Sequence, residues 1–448
     1  MRLLKALLVA IPVLALGLSH ANETSACGGC FHEVGAQPPA NIEVTGHKMI
    51  VSVSATQTTL WDQISYTGNP SSFAWVLPVK GNVTFGLSSD ALFRNLEMTT
   101  EVTFNPPKVD CYGPNSCVFG GATSTGYTIG GGGGSSFPYP DSVTVIADKV
   151  VGPYEMVQLH SSDPAALTAW LTGHSFEIPD DAKPIIEAYV ADGFDFLALK
   201  LVPGAPVSAM RPVRVTTPGN NPVLPLRMLA IGTGATTPVR LWVMAASRYE
   251  AVNMPDFTVT SNQITWSWIT LSGNLAALEK SAFDASAGKA WHIEVGEPFS
   301  PEHMQSAIPA FAQSNPVASG YADEMGNGAF QAATDDLAAL FGTLDPASLW
   351  VTRLHGELSR QALSTDLILG ASADQTPVIR SLHATTIVGT TPTCAENPTC
   401  AESTGTGAGG GSSGGGGCSM TVEGGYSSML GALSVLAALA LLRRRQHR

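Results

Sequence analysis

The C-terminal segment, residues 418–448, constrains this chain more than any other part of it. An apolar stretch at 429–442 follows a glycine-rich run and the single Cys418, and it precedes Arg443, Arg444 and Arg445. Counted from Tyr426, the stretch has 17 residues. At a helical rise of ~1.5 Å per residue it reaches roughly 25 Å, the short end of a hydrocarbon core. We therefore predict one transmembrane helix, with the arginines as a cytoplasmic membrane stop.

The N-terminus has the three regions of a secretory signal peptide. Arg2 and Lys5 form the charged region, residues 7–18 form the apolar region, and small residues end at Ala21. We predict cleavage after Ala21, so that the exported protein begins at Asn22. A lipoprotein signal at Cys27 is the alternative, although the apolar region would then end unusually far before the cysteine.

The charge of the chain argues against nucleic acid as a partner. The formal net charge is −13, and six of the 23 Lys and Arg residues lie in the two terminal segments. The part between those segments is therefore even more acidic than the whole. Binding to a phosphate backbone needs Lys and Arg clustered on one face, and the sequence has no such cluster. We interpret the acidity as a source of solubility.

Six of the seven cysteines form close couples along the sequence: Cys27 with Cys30, Cys111 with Cys117, and Cys394 with Cys400. In the oxidising compartment that export implies, this pattern favours disulfide bonds. Pairing within couples is the simplest of several connectivities. The Cys-Gly-Gly-Cys motif has two other interpretations, a thiol redox motif and a zinc half-site completed by Cys111 and Cys117 or by His32.

Composition divides the chain into four zones. We predict a signal peptide at 1–21, an exported body at 22–390, a linker at 391–417 and a membrane tail at 418–448. The linker is dominated by Gly, Ser, Thr and Pro, and such segments cannot bury a core.

Hydrophobic patterning predicts an α+β body in which strands dominate and the helices are few and short. Strand patterns occur at 49–54, 73–79, 194–202, 213–215, 226–231, 239–245 and 264–268. Asp163 followed by Pro164 predicts the start of a helix, because the two residues supply an N-cap and a first-turn proline. Asp181 is predicted to cap the next helix. Residues 301–344 are Ala-rich and amphipathic, and we predict that they are helical.

The body shows no catalytic or metal-binding set that the sequence alone identifies. His292 and Glu294 form the His-x-Glu pattern of zinc deaminases, but the Pro-Cys-x-x-Cys that should follow is absent. The histidines His160, His174, His303 and His355 are scattered, and only the fold can bring them together. Asp335 and Asp336 lie in a predicted helix, where we expect solvated carboxylates. We predict no metal ligands, no cofactor and no catalytic residues.

Several short motifs follow one another along the body in a fixed order. They are ACGGC at 26–30, FAWVLPV at 73–79, VGPYE at 151–155, WL at 170–171, ALKL at 198–201, LPLR at 224–227, VTRL at 351–354 and DL at 366–367. On these motifs the body resembles the family called domain of unknown function 2330, over roughly residues 26–385. The resemblance implies an exported bacterial protein without an established activity, and it supplies no catalytic residues.

The tail resembles a different pattern, the myxobacterial C-terminal sorting signal. In that pattern a cysteine follows a Gly-rich linker and precedes an apolar span and an arginine stop. The resemblance implies that Cys418 is the site of processing and lipidation, and that C-terminal sorting machinery is a partner.

We conclude from the sequence that the chain is an envelope protein, membrane-anchored or sorted to the outer surface, with a binding or structural role. Its predicted partners are the membrane and the sorting machinery, and its ligand is not specified. One alternative is a secreted hydrolase or metal-dependent enzyme whose site forms only in the fold. A second alternative is a thiol redox protein that acts through Cys27 and Cys30.

Overall fold

A computed structural model describes residues 30–33, 43–67, 74–107, 143–202, 210–220, 222–231, 233–316 and 326–391. All of them belong to the first of two compact units, Met1–Ala395. The second unit, Glu396–Arg448, lies outside the described residues, as does the predicted signal peptide. None of the helices within the described ranges is both long enough and apolar enough to span a membrane.

In these ranges the chain forms 22 strands and seven helices. The strands are β1 Cys30–Glu33, β2 Glu43–Val53, β3 Gln57–Thr67, β4 Ala74–Val79, β5 Thr84–Leu87, β6 Thr103–Asn105, β7 Thr144–Val151, β8 Tyr154–His160, β9 Phe176–Glu177, β10 Asp195–Leu201, β11 Val213–Pro218, β12 Val223–Leu224, β13 Thr236–Ala245, β14 Tyr249–Ala251, β15 Asp256–Phe257, β16 Thr265–Ser267, β17 Ser272–Gly273, β18 Trp291–Pro298, β19 Trp350–Ser359, β20 Leu367–Ala371, β21 Ser381–His383 and β22 Thr386–Val388. The helices are α1 Asp90–Thr99, α2 Pro164–Gly173, α3 Lys183–Ala191, α4 Leu226–Leu229, α5 Leu275–Ala285, α6 Glu302–Ser314 and α7 Gly326–Phe341.

The described strands form two large sheets and three small ones. The six-stranded sheet has the order β7-β8-β10-β4-β1-β9 and is antiparallel throughout. The eight-stranded sheet has the order β15-β18-β19-β13-β2-β3-β11-β5. It is mixed, because β13 runs parallel to β2 and β15 runs parallel to β18. The small sheets are β12-β20-β14, β17-β16-β22 and β21-β6.

Both large sheets bury side chains on both faces. The eight-stranded sheet packs one face against α4 and β20, and packs the other beneath α1, α6 and α7. In β2, Met49 and Val51 enter the first of these cores, whereas Ile50 enters the second. The six-stranded sheet packs one face on α2 and α3, and packs the other against β3, β5 and β11. Each fully buried large apolar side chain contributes about 1.5–3 kcal/mol, so this layering is the main source of stability.

The predicted α+β class, with strands dominant, is confirmed, and so are several individual elements. The run at 73–79 forms β4, in which every residue is buried. Helix α2 begins at Pro164, and the Asp163 side chain accepts a hydrogen bond of 2.9 Å from the backbone N–H of Ala165. The helical segment 301–344 contains α6 and α7.

Two local predictions were wrong. Asp181 does not cap α3, which has Ala182 at its N-cap and no side-chain cap. Residues 226–229 form helix α4 and not a strand. The reason is a distant contact, because the carboxylate of Asp366 accepts a hydrogen bond of 3.1 Å from the backbone N–H of Arg227. A carboxylate at the start of a helix stabilises it, and the local pattern gave no sign of this partner.

The expectation of a solvated Asp336 was also wrong. Its carboxylate has 0% exposure, because it joins α7 to β3, β11 and the start of α1. Oδ1 accepts hydrogen bonds of 2.9 Å from Trp61 Nε1 and from Arg214 Nη1. Oδ2 accepts bonds from Ser88 Oγ at 2.7 Å and from the backbone N–H of Ser89 at 2.9 Å. Four donors on two oxygens satisfy a buried carboxylate, as such a group requires.

The stability of the protein is expected to depend on pH through Asp336. Burial raises the pKa of this carboxyl from 3.8 to about 6, although Arg214 and the other donors oppose the shift. The folded state therefore binds the proton more tightly than the unfolded state. Protonation of Asp336 contributes fully to the free energy of unfolding below about pH 4. This contribution falls by on the order of 2–3 kcal/mol as the pH rises to about 6.

Urea denaturation at pH 4 to 7 measures this effect as the difference in unfolding free energy between the wild type and Asp336→Ala. We expect the difference to narrow as the pH rises. A difference that widens instead would show that the four donors hold the pKa at or below its ordinary value.

Candidate functional site

A β-bulge in β18 brings charged and imidazole side chains to one face of the large sheet. His292 pairs with His355 of β19, and the register then slips by one residue between Ile293 and Val295. Glu294 is the extra residue, and bulges of this kind re-aim side chains next to functional sites. Ile293 is buried in the core beneath the sheet, so His292 and His355 point to the opposite face.

Helix α5 covers this face and contributes Glu279 and Phe283. Phe257 of β15 stacks on the His292 ring, with centroids 4.8 Å apart and an interplanar angle of 3°. Phe283 contacts Phe257 and His355 edge-on, at centroid distances of 5.2 and 5.6 Å. Aromatic pairs contribute about 0.5–1.5 kcal/mol each, and here they fix the planes of both imidazoles.

His292 and Glu279 are close together but not aligned for a hydrogen bond. Nδ1 of His292 lies 3.1 Å from Oε1 of Glu279, yet it has no hydrogen-bond partner of acceptable geometry. His292 is only 3% exposed. Burial acts to raise the pKa of Glu279, but His292 and the nearby positive groups hold that pKa below its ordinary value. An ionised carboxylate therefore faces a buried ring nitrogen.

Glu294 is held by two arginines. It is 8% exposed, and its Oε2 lies 2.6 Å from Arg353 Nε and 3.0 Å from Arg240 Nη1. Its Oε1 has only longer contacts, 3.4 Å to Arg240 Nη1 and 3.6 Å to Nδ1 of His355. Arg353 is itself 4% exposed and donates a hydrogen bond of 2.7 Å to the Thr100 carbonyl. The two guanidinium groups neutralise the buried carboxylate and fix its orientation.

A cleft of about 500 Å³ opens beside this group, lined among others by Glu279, Phe283, His355 and Glu357. Nε2 of His355 lies 2.9 Å from Oε1 of Glu357 at the cleft wall. Volumes of this size are typical of small-molecule sites. A polar ligand or a cation in the cleft can therefore reach carboxylates and an imidazole together.

The turn after α5 depends on glycine at position 288. Gly288 has φ +67, and an added Cβ would lie 3.0 Å from Ser359 N and 3.1 Å from the Glu357 carbonyl oxygen. We expect Gly288→Ala to lower the free energy of unfolding by about 1–3 kcal/mol, because it combines backbone strain with a backbone overlap. Gly81→Ala is the control, since Gly81 has φ +69 and nothing within 4 Å of an added Cβ. If urea denaturation gives the same loss of unfolding free energy for both variants, the overlap of the added Cβ with Ser359 and Glu357 does not contribute.

A second cleft, of about 460 Å³, is lined by Asp192, Arg227 and Asp366 among others. Arg227 donates to Asp366 through Nε and Nη2, at 3.1 and 2.8 Å, and to Asp192 through Nη2 at 2.7 Å. Its guanidinium lies 4.1 Å from the ring centroid of Tyr189, whose hydroxyl donates to Asp366 at 2.6 Å. Burial and Asp366 raise the pKa of Tyr189 above its ordinary value. These groups already satisfy one another, so this cleft is the weaker candidate.

The four scattered histidines do not converge. His355 lies in the candidate site, whereas His160 at the end of β8 has Nδ1 2.6 Å from Oδ1 of Asp195. His174 follows α2, and His303 lies in α6. The fold therefore brings His355 together with His292, and it leaves the other three histidines apart from them.

Cys30 is the only predicted disulfide residue within the described ranges. It is the first residue of β1 and pairs with Trp75 of β4. The motif thus leads into a strand, whereas low-pKa redox thiols are stabilised at helix N-termini, so this placement does not favour the redox interpretation. The other predicted residues lie outside the described ranges, and their roles stay predictions: Cys27, Cys111, Cys117, Cys394, Cys400, Cys418, Arg443, Arg444 and Arg445.

Sequence reasoning missed Glu279, Arg240 and Arg353, which complete the site. Glu279 comes from a separate helix, so no local spacing links it to His292. Arg353 carried the stronger signal, because it is a charged residue in a strand motif, VTRL, that has Val351 and Leu354 at its two ends. A charge in such a strand requires a buried partner, and the structure supplies Glu294.

Comparison with known sequences places this site in a family. The profile of DUF2330, described as an uncharacterized protein conserved in bacteria, matches residues 22–369. The chain belongs to the DUF2330 family. This match confirms the resemblance of the body, and it includes Glu279, His292, Glu294 and His355. No curated protein matches the chain, and no solved structure matches it.

Proposed function

We propose that this DUF2330 protein is exported and anchored in the cell envelope, where it acts as a binding or structural protein at the outer surface. The observation that carries the proposal is the pair of apolar terminal segments, each flanked by basic residues, around an acidic body. The N-terminal segment has the order of a signal peptide. The C-terminal segment has the length and the arginine stop of a membrane anchor.

The two clefts beside Glu279 and beside Arg227 support a binding role. Both are lined by charged side chains whose positions are fixed by ion pairs, an arrangement that suits recognition of a small polar ligand. The acidic composition of the body suits a domain displayed outside the cytoplasm.

Cell fractionation tests export and anchoring together. The full-length protein is expressed in a bacterium with its own termini, beside a variant that lacks residues 418–448. We expect the full-length protein in the membrane fraction and accessible to added protease, and the truncated variant in the soluble exported fraction. Full-length protein in the soluble cytoplasmic fraction would contradict the proposal.

A metal-dependent hydrolase is the second candidate function. The observation that favours it is the His355–Glu357 pair, in which an imidazole and a carboxylate 2.9 Å apart line the cleft beside Glu279, the residue types of general acid–base catalysis. A panel of ester, amide and phosphate substrates tests it, with and without EDTA. Hydrolysis that is abolished by EDTA and reduced in His355→Gln would support a metal-dependent hydrolase. A folded protein that hydrolyses none of these substrates would contradict it and favour the binding role.

A further inference from the structure

We propose that Glu279, His292 and Glu294 bind one divalent transition-metal ion of the zinc class. One ligand atom from each residue lies within 4.8 Å of the other two. Zinc accepts imidazole nitrogens and carboxylate oxygens at ~2.0–2.2 Å, which places neighbouring ligand atoms roughly 3.4 Å apart. Binding therefore requires the most distant pair of ligand atoms to close by up to roughly 1.4 Å. The inference rests on this cluster alone and does not depend on export or anchoring.

The ring of His292 gives the first independent support. It is 3% exposed, and its Nδ1 has no hydrogen-bond partner of acceptable geometry. Buried polar atoms are hydrogen-bonded as a rule, so an exception needs a reason. Nδ1 of His292 lies 3.1 Å from Oε1 of Glu279 but is out of line with it. Two ligand atoms of one metal ion lie in this way, because each points at the ion and not at the other ligand. The stacked Phe257 ring holds His292 in this orientation.

Glu294 gives the second support, because its two carboxylate oxygens differ in how closely the arginines contact them. Oε2 takes the short contacts to Arg353 and Arg240, at 2.6 and 3.0 Å. Oε1 has no contact shorter than 3.4 Å among those that the structure gives it. The arginines thus orient the carboxylate through one oxygen and leave the other for an ion. Supporting groups that orient a ligand in this way are a regular feature of metal sites.

The charge of the cluster also favours a cation. Two of the three ligand side chains are carboxylates, of which Arg240 and Arg353 neutralise Glu294, whereas Glu279 faces the ring of His292. Burial of a carboxylate without a matching positive charge is unfavourable. A divalent ion held by Glu279 and Glu294 would supply that charge to Glu279, and the cleft along Glu279 would provide access and room for a water ligand.

Zinc titration of the full chain in detergent tests the proposal. The protein is stripped with EDTA, freed of the chelator and titrated with Zn²⁺ against a competing chromophoric chelator. We expect a site in the wild type that Glu279→Gln and His292→Gln each weaken by at least about 100-fold, since loss even of a supporting group can weaken binding by that factor. His160→Gln is the matched control, because His160 also faces a carboxylate, at 2.6 Å from Asp195, and it should leave affinity unchanged.

Two further measurements complete the test. The first distinguishes loss of the metal site from loss of folding, and the second distinguishes this site from metal binding by the cysteines. Glu279 has a side chain that is 23% exposed, so Glu279→Gln should keep the unfolding midpoint of the metal-free wild type. Bound Co²⁺ should show nitrogen and oxygen ligation without a thiolate charge-transfer band. Unchanged zinc affinity in a folded Glu279→Gln variant, absence of binding in the wild type, or a thiolate cobalt spectrum would each overturn the proposal.

Discussion

Replacing Asp336 with alanine is expected to lower the free energy of unfolding at pH 7 by about 3–5 kcal/mol. The substitution leaves Arg214 without its buried partner and removes the acceptor for Trp61 Nε1, Ser88 Oγ and the Ser89 N–H. It also leaves a small cavity between α7 and the large sheet. Each of these effects is destabilising by itself, and the four donors belong to three separate elements.

The neighbouring Asp335 provides a matched control. It is exposed and accepts a hydrogen bond of 2.8 Å from Gln331 Nε2 within α7. Asp335→Ala should change stability by less than about 0.5 kcal/mol, as is usual for surface positions. Urea denaturation followed by tryptophan fluorescence measures both variants. Similar losses for the two would mean that Asp336 does not join the elements as described.

Replacing Arg353 with methionine is expected to destabilise the protein by about 3–4 kcal/mol. Arg353 is buried at 4% exposure, lies 2.6 Å from Oε2 of Glu294 and donates to the Thr100 carbonyl at 2.7 Å. Methionine keeps much of the side-chain volume, so the loss reports mainly the charge. Glu294 would then have Arg240 as its one remaining guanidinium partner among the described residues.

The control for this change is Arg380→Met. Arg380 has a side chain that is 42% exposed and pairs with Glu297 at 3.5 Å, and such surface pairs contribute about 0–1 kcal/mol. Denaturation in urea should therefore separate the two variants by at least about 2 kcal/mol. A loss in Arg353→Met as small as that in Arg380→Met would show that the ion pair with Glu294 contributes little.

The sequence predicted the elements that depend on their own residues. Helix α2 carries its own cap and first-turn proline, and β4 is an unbroken apolar run, so local physics determines both. Prediction failed where a distant residue decides the outcome. Asp366 caps α4 from the start of β20, and Trp61 and Arg214 bind Asp336 from β3 and β11.

The candidate site follows the same division. His292 and Glu294 are visible as a pair because they lie two residues apart in one strand. The sequence could not show that a bulge at Glu294 turns it toward Arg353, or that α5 places Glu279 over the same face. Bulges and helix placement are set by tertiary packing, which short-range spacing does not encode.

The intact mass of the protein isolated from its native envelope tests export and anchoring most directly. We expect a mass that lacks residues 1–21, that shows disulfide formation among the paired cysteines, and that either carries lipid on Cys418 or lacks the residues beyond it. A mass equal to the unmodified 448-residue chain, with every thiol reduced, would contradict the assignment to the envelope.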